Sequence, residues 1–374
     1  MSIHGHCPPA LAPLQTAFSE LFDADEELGA AVAVTLDGDL IAHLWAGYAD
    51  KRKTQNFAQD TLVPVYSTGK ALVSLVVAQV VDQFDITYDT PVGQIWPELN
   101  PHGVGAITLA QLMSHQSGLC GFTSPMEASD WFEWETITKR LEATTPLWTP
   151  GTAHGYEPIT FGFLAGEIVR RISSQTIPQW VATHWREALG LDLWFGGLGG
   201  ETHRIAELAR PTRLPDLSNL TPERQAAFLE RWSAPAGRGS ATWREANLPA
   251  ANLHATAPAL AEMMSILTTG GERHGERVIS PSTLGALCQE HTQGPDKVLP
   301  FALSWAAGLL RNGDLGIYGP NPDAVGHSGW GGSCAFADPE RGLGFAYVMN
   351  KQSHHLLGDP RPLALIRALY DSLD

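Results

Sequence analysis

Apolar and polar positions divide the chain into a strand-rich start, a helical middle and a strand-rich end. Residues 10–25 carry the spacing of an amphipathic helix. Two apolar runs follow, Ala30–Leu36 and Leu40–Ala46, separated by Asp37-Gly38-Asp39, which is the pattern of a β-hairpin. A short strand is expected at Leu62–Val65. From Ser67 to Phe84 the chain is almost wholly apolar and reads as a helix buried on all sides. Helices are expected at about 107–115, 134–143, 158–172 and 178–189. Residues 210–252, rich in Pro, Arg, Trp and Ala, read as an excursion with one helix near 221–232. Two more helices, Ala257–Thr269 and Ser282–Glu290, precede strands at Leu303–Leu310, Ser333–Asp338 and Leu343–Asn350. An amphipathic helix at 361–373 closes the chain. Strands at both ends with helices between predict an α+β fold, one antiparallel sheet built from both termini with an inserted helical lobe. The expected domain is single, 10–374, with an α/β lobe at about 10–66 and 257–374 and a helical lobe at about 67–256.

Composition narrows the partners. With 44% hydrophobic and 17% charged residues, the 374-residue chain has enough apolar surface for a sizeable core. Its 24 basic and 40 acidic side chains give a net charge of −16, which argues against nucleic acid or an anionic membrane as partner. Cys7, Cys120, Cys288 and Cys334 lie far apart and read as ordinary thiols. The N-terminus shows no basic region followed by an apolar stretch, and the longest strongly apolar run, Ala71 to Val81, is too short to span a bilayer. A soluble, cytoplasmic protein is expected. A homo-oligomer is left open.

The chemistry concentrates where lysine is scarce. Only six lysines occur, and one of them, Lys70, follows Ser67 by three residues at the start of the buried helix. Residues at i and i+3 share a helix face, so the ammonium can reach the hydroxyl. Ala71, Leu72, Val73 and Leu75 surround Lys70 with apolar groups that disfavour its charged form and favour a neutral amine, a usable base for the serine. Backbone N–H groups in a first helical turn lack intrahelical acceptors, so that of Ser67 suits one half of an oxyanion hole. Tyr156 sits between the turn Pro150-Gly151 and Pro158, at a loop–helix junction. It is placed either to reach into a cleft or to be a buried structural tyrosine. Gly326-His327-Ser328-Gly329-Trp330-Gly331-Gly332-Ser333 precedes a strand. It is either a glycine-rich turn or an edge where a substrate approaches closely, with the Trp330 N–H completing the oxyanion hole.

Ser67-x-x-Lys70, a tyrosine after a Pro-Gly loop, and His327-Ser328-Gly329 together resemble the three-part signature of the serine β-lactamase and penicillin-binding-protein superfamily. The likeness is greatest to class C β-lactamases and family VIII carboxylesterases, and extends from about residue 15 to 372. Leu112–Leu119 is similar to the family's turn of that region, and Ala337–Asn350 to its C-terminal hairpin. The resemblance implies a β-lactamase/transpeptidase-like fold and an acyl-enzyme mechanism without cofactor. In it Ser67 is the nucleophile, Lys70 its base and Tyr156 a proton shuttle. Ser67 and Trp330 N–H groups form the oxyanion hole, and His327, Ser328, Gly329 and Trp330 contact substrate. Two departures stand out. Pro158 occupies the third position of the family's Y-x-N motif, and His327 that of the lysine in its K-T-G motif. A histidine is largely neutral near pH 7 and anchors an anion weakly there. Both changes turn the expectation toward a carboxylesterase for small esters of short- to medium-chain acids with uncharged alcohols. β-Lactamase or D-amino-acid amidase activity is the alternative in chemistry, and an inactive binding protein the alternative in class.

Other sites are weaker. No G-x-S-x-G, H-E-x-x-H, Walker or dinucleotide pattern occurs, so neither an α/β-hydrolase nor a metal site is expected. His115 reads as holding a helix end before Gly118, and His154 as loop packing. Trp131, Trp134, Trp148, Phe122 and Phe132 wall an acyl pocket or belong to the core. Leu248–His254, with Asn252 and His254, resembles a stretch lining the site in relatives.

Overall fold

The main sheet places the most apolar strands at its centre. A computed structural model describes residues 1–217 and 219–373. Ser218, in the 210–252 excursion, and Asp374, at the end of the expected domain, lie outside the described residues. The strands are β1 (His4–His6), β2 (Gly29–Leu36), β3 (Asp39–Gly47), β4 (Thr292–Pro295), β5 (Ala302–Trp305), β6 (Leu310–Arg311), β7 (Val325–Ser328), β8 (Cys334–Asp338) and β9 (Leu343–Met349). Their order is β1-β3-β2-β9-β8-β7-β6-β5-β4, and every neighbour pair is antiparallel. The N-terminal hairpin and the C-terminal strands thus meet at β2–β9, where Val32 faces Tyr347 and Ala30 faces Met349.

Both faces of the sheet are covered, which is why β2 reads as a continuous apolar run and not as an alternation. Ala30, Val32 and Val34 join a core with Phe18 of helix α1 (Ala12–Asp23) and Leu365 and Leu369 of the C-terminal helix. Ala31 and Ala33 join the opposite core with Leu260 and Met264 of the helix Ala257–Ser265. Small side chains let that second helix approach closely. A Cβ on Gly344 of β9 would lie 2.6 Å from the Ala261 carbonyl oxygen. Helix α2 (Gly69–Gln83) is buried along nearly its whole length, as expected for its composition, and packs against helix α3 (Thr160–Ser173).

The sequence-based expectations need three corrections. Leu303–Leu310 is not one strand but a hairpin, β5 and β6 joined by a tight turn in which the Ala306 N–H donates to Leu309 O. The turn is buried and therefore apolar. Gly308, at φ +87°, allows it, and a Cβ there would lie 2.2 Å from Ser74 Oγ. His327 lies within a strand, β7, and not in a turn ahead of one. Strands β1 and β4 are too polar and glycine-rich to stand out from their flanks, and a three-stranded sheet of Val63–Pro64, His254–Ala255 and Leu193–Trp194 consists of two-residue strands. The expected helices are present, that of 134–143 with the expected bounds and several others shorter, and that of 221–232 reduced to Pro222–Arg224 and a π-helical Gln225–Leu229. That of 107–115 is Leu109–Met113, opened by a Thr108/Gln111 capping box. That of 178–189 splits into Ile177–Trp180 and a π-helical Val181–Glu187. Among the described residues no helix is long and apolar enough to cross a membrane.

Candidate active site

Ser67 sits in the 3-10 turn Tyr66–Thr68 that leads into α2, two residues ahead of its first residue Gly69. Tyr66 adopts φ +49°, a left-handed backbone that costs a non-glycine residue on the order of 1 kcal/mol, and strain of that kind concentrates at functional positions. Lys70 is fully buried, and its Nζ lies 2.9 Å from Ser67 Oγ, 2.8 Å from Pro158 O and 3.1 Å from Ala250 O. Burial holds the Lys70 amine well below its usual pKa, against a smaller opposing pull from Glu157. A neutral amine has two N–H bonds and one lone pair. The two carbonyls take the N–H bonds, and the lone pair then faces the Ser67 hydroxyl. Pro158 thus contributes to the site through its carbonyl, the one polar group a proline has.

Tyr156 is buried beside this pair, with Lys70 Nζ 5.0 Å from its ring centroid. Burial raises its phenol pKa, and a hydrogen bond to Ser67 offsets part of the rise, so the phenol is protonated across the physiological range. Its ring stacks on Trp305 at 5.9 Å and meets His115 edge-on at 5.1 Å. Its backbone N–H donates to both oxygens of Asp296 at 3.1 Å, and Asp296 also accepts from the N–H groups of Val298 and Leu299. A buried carboxylate therefore fixes the loop that carries the phenol.

Behind Tyr156 lies an unanticipated group. Glu157 is fully buried, accepts a hydrogen bond from Ser117 and lies 3.3 Å from His115 Nδ1. Burial pushes its carboxyl up to about 8, against the pull of Ser117 and Lys70. His115 is therefore more than the end of a helix, since it joins Glu157 to the aromatic bed under Tyr156. A Glu157→Gln variant keeps the shape and removes the charge. Folded Glu157 holds a proton between its unfolded value of 4.5 and about 8, so wild-type stability falls relative to the variant as pH rises through that window. The two should unfold alike near pH 4.5, with the variant more stable by roughly 4 kcal/mol at pH 8. Thermal unfolding across that range checks the direction.

The strand β7 and the turn after it press against the Ser67 turn. A Cβ on Gly329 would lie 2.1 Å from Val65 O, so glycine is required for this approach. Thr68 Oγ1 lies 2.9 Å from Ser333 Oγ, which in turn donates to Val65 O at 3.0 Å, stitching the two segments together. Arg361, buried with Glu27 and Asp359, donates to Gly331 O at 2.7 Å and holds the loop following Trp330. His327 is buried, with Nδ1 2.8 Å from Ser328 O. Burial and then the nearby Lys70 hold it well below its usual pKa, so it is neutral. Ser328 Oγ lies 3.2 Å from the Tyr318 hydroxyl.

Ser67, Tyr156, His327, Ser328 and Trp330 line one cavity of about 340 Å³, with Lys70 beneath its floor and Gly329 at the junction of strand and turn. Its apolar walls are Ile159, Leu217, Phe228, Trp243, Leu299 and Trp305. Of the two readings for the aromatics of the helical lobe, the core reading holds. Trp131 and Phe122 are core residues, Phe132 and Trp134 pack against that core, and Trp148 belongs to the other core. His154 packs in its loop, 3.0 Å from Thr292 Oγ1. Asn252 is buried and donates to the carbonyls of Trp243 and Ala246, so it holds its own loop. Thr68, Ser333, Glu157 and Arg361 carry no motif of their own, and their positions follow only from the folded contacts. Among the described residues no group of His, Cys, Asp and Glu is arranged to hold a metal ion.

An antiparallel sheet built from both termini, with Ser67 and Lys70 at the start of a buried helix and Tyr156 and His327 beside them, is the fold of the serine β-lactamase and penicillin-binding-protein superfamily. The sequence matches the Beta-lactamase family over residues 14–368, and the chain belongs to that family. It is 29% identical over 363 residues to an esterase/beta-lactamase named LipL of Mycobacterium tuberculosis, covering 93% of this chain and 83% of that protein. A penicillin-binding-protein homologue from Caulobacter crescentus has 44% identity and a TM-score of 0.97, with 100% of both chains covered. A family VIII carboxylesterase has 34% identity and a TM-score of 0.93, again with 100% of both chains covered. Family and relatives point to a hydrolase.

Proposed function

We propose that the protein is a serine carboxylesterase that cleaves esters of short- to medium-chain acids through an acyl-enzyme. The observation that carries the reading is the contact set of buried Lys70, whose Nζ lies 2.9 Å from Ser67 Oγ in surroundings that disfavour its charged form. Ser67 Oγ attacks the ester carbonyl carbon as its proton passes to Lys70 Nζ. The backbone N–H groups of Ser67 and Trp330 stabilise the negative charge on the carbonyl oxygen. The bond to the leaving alcohol then breaks, and that oxygen takes the Tyr156 phenolic proton, which the Lys70 ammonium replaces. Water attacks the acyl-enzyme by the reverse relay, giving its proton toward Lys70 through Tyr156, and Ser67 is released with its hydrogen restored. The neutral, buried His327 and the apolar cavity favour an uncharged leaving alcohol over the anionic group of a β-lactam. Four free cysteines suit a reducing cytoplasm, where we place the enzyme.

A rate panel tests the assignment, using 4-nitrophenyl butyrate, 4-nitrophenyl palmitate, a cephalosporin and a D-amino-acid amide. Butyrate should be turned over with kcat/KM at least about 100-fold above the other three, a gap of about 2.7 kcal/mol in barrier. A cephalosporin or amide rate equal to that of butyrate would overturn the esterase reading.

A further inference from the structure

A second cavity, of about 700 Å³, adjoins the first and shares Tyr66, Leu214, Pro235, Arg238 and Trp330 with it. It differs in chemistry. Arg210, Arg238 and Arg244 all line it, in a chain whose net charge is −16. Lys51 also lines it but is neutralised by Glu207, whose carboxylate lies 2.9 Å from its Nζ. Among the described residues, none of the three guanidinium groups has a carboxylate or hydrogen-bond partner. Arg238 and Arg210 both act electrostatically on the Tyr66 phenol, and Arg244 on His254 of the same cavity, so the charges converge on one space. Arg238 stands at the junction between Gly237 and Gly239, at φ +60° and +80°, in an exposed turn.

The two cavities flank the reacting atoms unequally. Tyr156, Trp305 and Leu299 line only the first, while the second touches the site at Tyr66 and Trp330. In the reading above, the leaving alcohol must face Tyr156, its proton donor, and so occupies the first cavity. The acyl substituent on the other side of the carbonyl then runs past Tyr66 and Trp330 into the second. We propose that the second cavity is an acid-binding site for the far end of the acyl chain, and that the preferred substrates are half-esters of dicarboxylic acids, with the free carboxylate held by Arg210, Arg238 and Arg244. Arg210 and Arg238 are exposed and Arg244 half-buried, so a substrate carboxylate there exchanges water for charge-assisted hydrogen bonds to groups that carry no competing anion. The loss of the K-T-G lysine at His327 then relocates anion recognition from the leaving-group side to the acyl side.

This inference rests on the esterase reading, and the test separates the two. Three length-matched probes suffice, namely 4-nitrophenyl hexanoate, the 4-nitrophenyl half-ester of adipic acid, and 4-carboxyphenyl hexanoate. The half-ester should exceed the neutral ester in kcat/KM by about 10-fold or more at low ionic strength, and the advantage should shrink in 0.5 M salt because the arginines are partly solvated. The carboxylate on the alcohol side should bring no advantage. The double variant Arg210→Gln/Arg244→Gln should reduce the half-ester/neutral ratio about 10-fold, chiefly through KM. A ratio near one in the wild type, or a ratio the variant leaves unchanged, overturns the inference while the esterase reading stands. If no ester is hydrolysed, the reading itself fails. Calorimetric titration with hexanoate and hexanamide then decides the site alone, with tighter hexanoate binding to wild type than to the variant expected, and equal binding overturning it.

Discussion

Ser67→Ala should reduce hydrolysis of 4-nitrophenyl butyrate by on the order of 10³-fold or more, with the fold intact. Among the described residues, the hydroxyl is the one hydrogen-bonded to both the Lys70 amine and the Tyr156 phenol, so no neighbour is placed to replace it as nucleophile. Its removal deletes one hydrogen bond, worth about 1 kcal/mol, and leaves the N–H groups of Lys70 on Pro158 O and Ala250 O. The melting temperature should therefore move by only about 1–2 °C for a chain of 374 residues. Intact-mass analysis sharpens the result. Wild type mixed with ester and quenched in acid should carry one acyl adduct, and the variant none. Turnover within threefold of wild type in a correctly folded variant would remove the mechanism altogether.

Much of the fold was legible because its strongest signals are local. The β2–β3 hairpin and α2 follow from apolar runs of the right length, and the turn Asp37-Gly38-Asp39 marks the reversal. The β5–β6 hairpin was hidden because its turn is buried, and a buried turn carries alanine and glycine instead of the polar residues that usually mark one. Within the site, Ser67 and Lys70 are readable since their spacing within one turn brings them together. Glu157 was invisible for the opposite reason. Its partners Ser117 and His115 lie about forty residues away, and a glutamate next to a loop tyrosine reads as solvated until the fold buries it. The arginine cavity is also a product of folding, since Arg210, Arg238 and Arg244 are spread across the excursion whose composition gave no motif.

Lys70→Met separates the catalytic role of the amine from its effect on the fold. Methionine matches the unbranched chain and lacks the base, so kcat/KM should fall by about 10²–10⁴, the range for a lost general base. In wild type kcat/KM should rise with pH through the lowered pKa of Lys70 and then level off, and the variant's residual activity should lack that limb. Stability supplies an independent sign. Unfolded Lys70 titrates near 10.5, while the buried amine titrates well below it, so between the two values the unfolded chain holds the extra proton. Wild-type unfolding free energy should therefore increase with pH relative to the variant across that window, by up to about 1.4 kcal/mol per pH unit, and stop increasing above 10.5. A buried charged ammonium predicts no such gain, because folded and unfolded states would then carry the same proton. Denaturant titrations of both proteins between pH 7 and 10 distinguish the cases. A flat difference would show that Lys70 is protonated in the resting site and that Ser67 must find its base elsewhere.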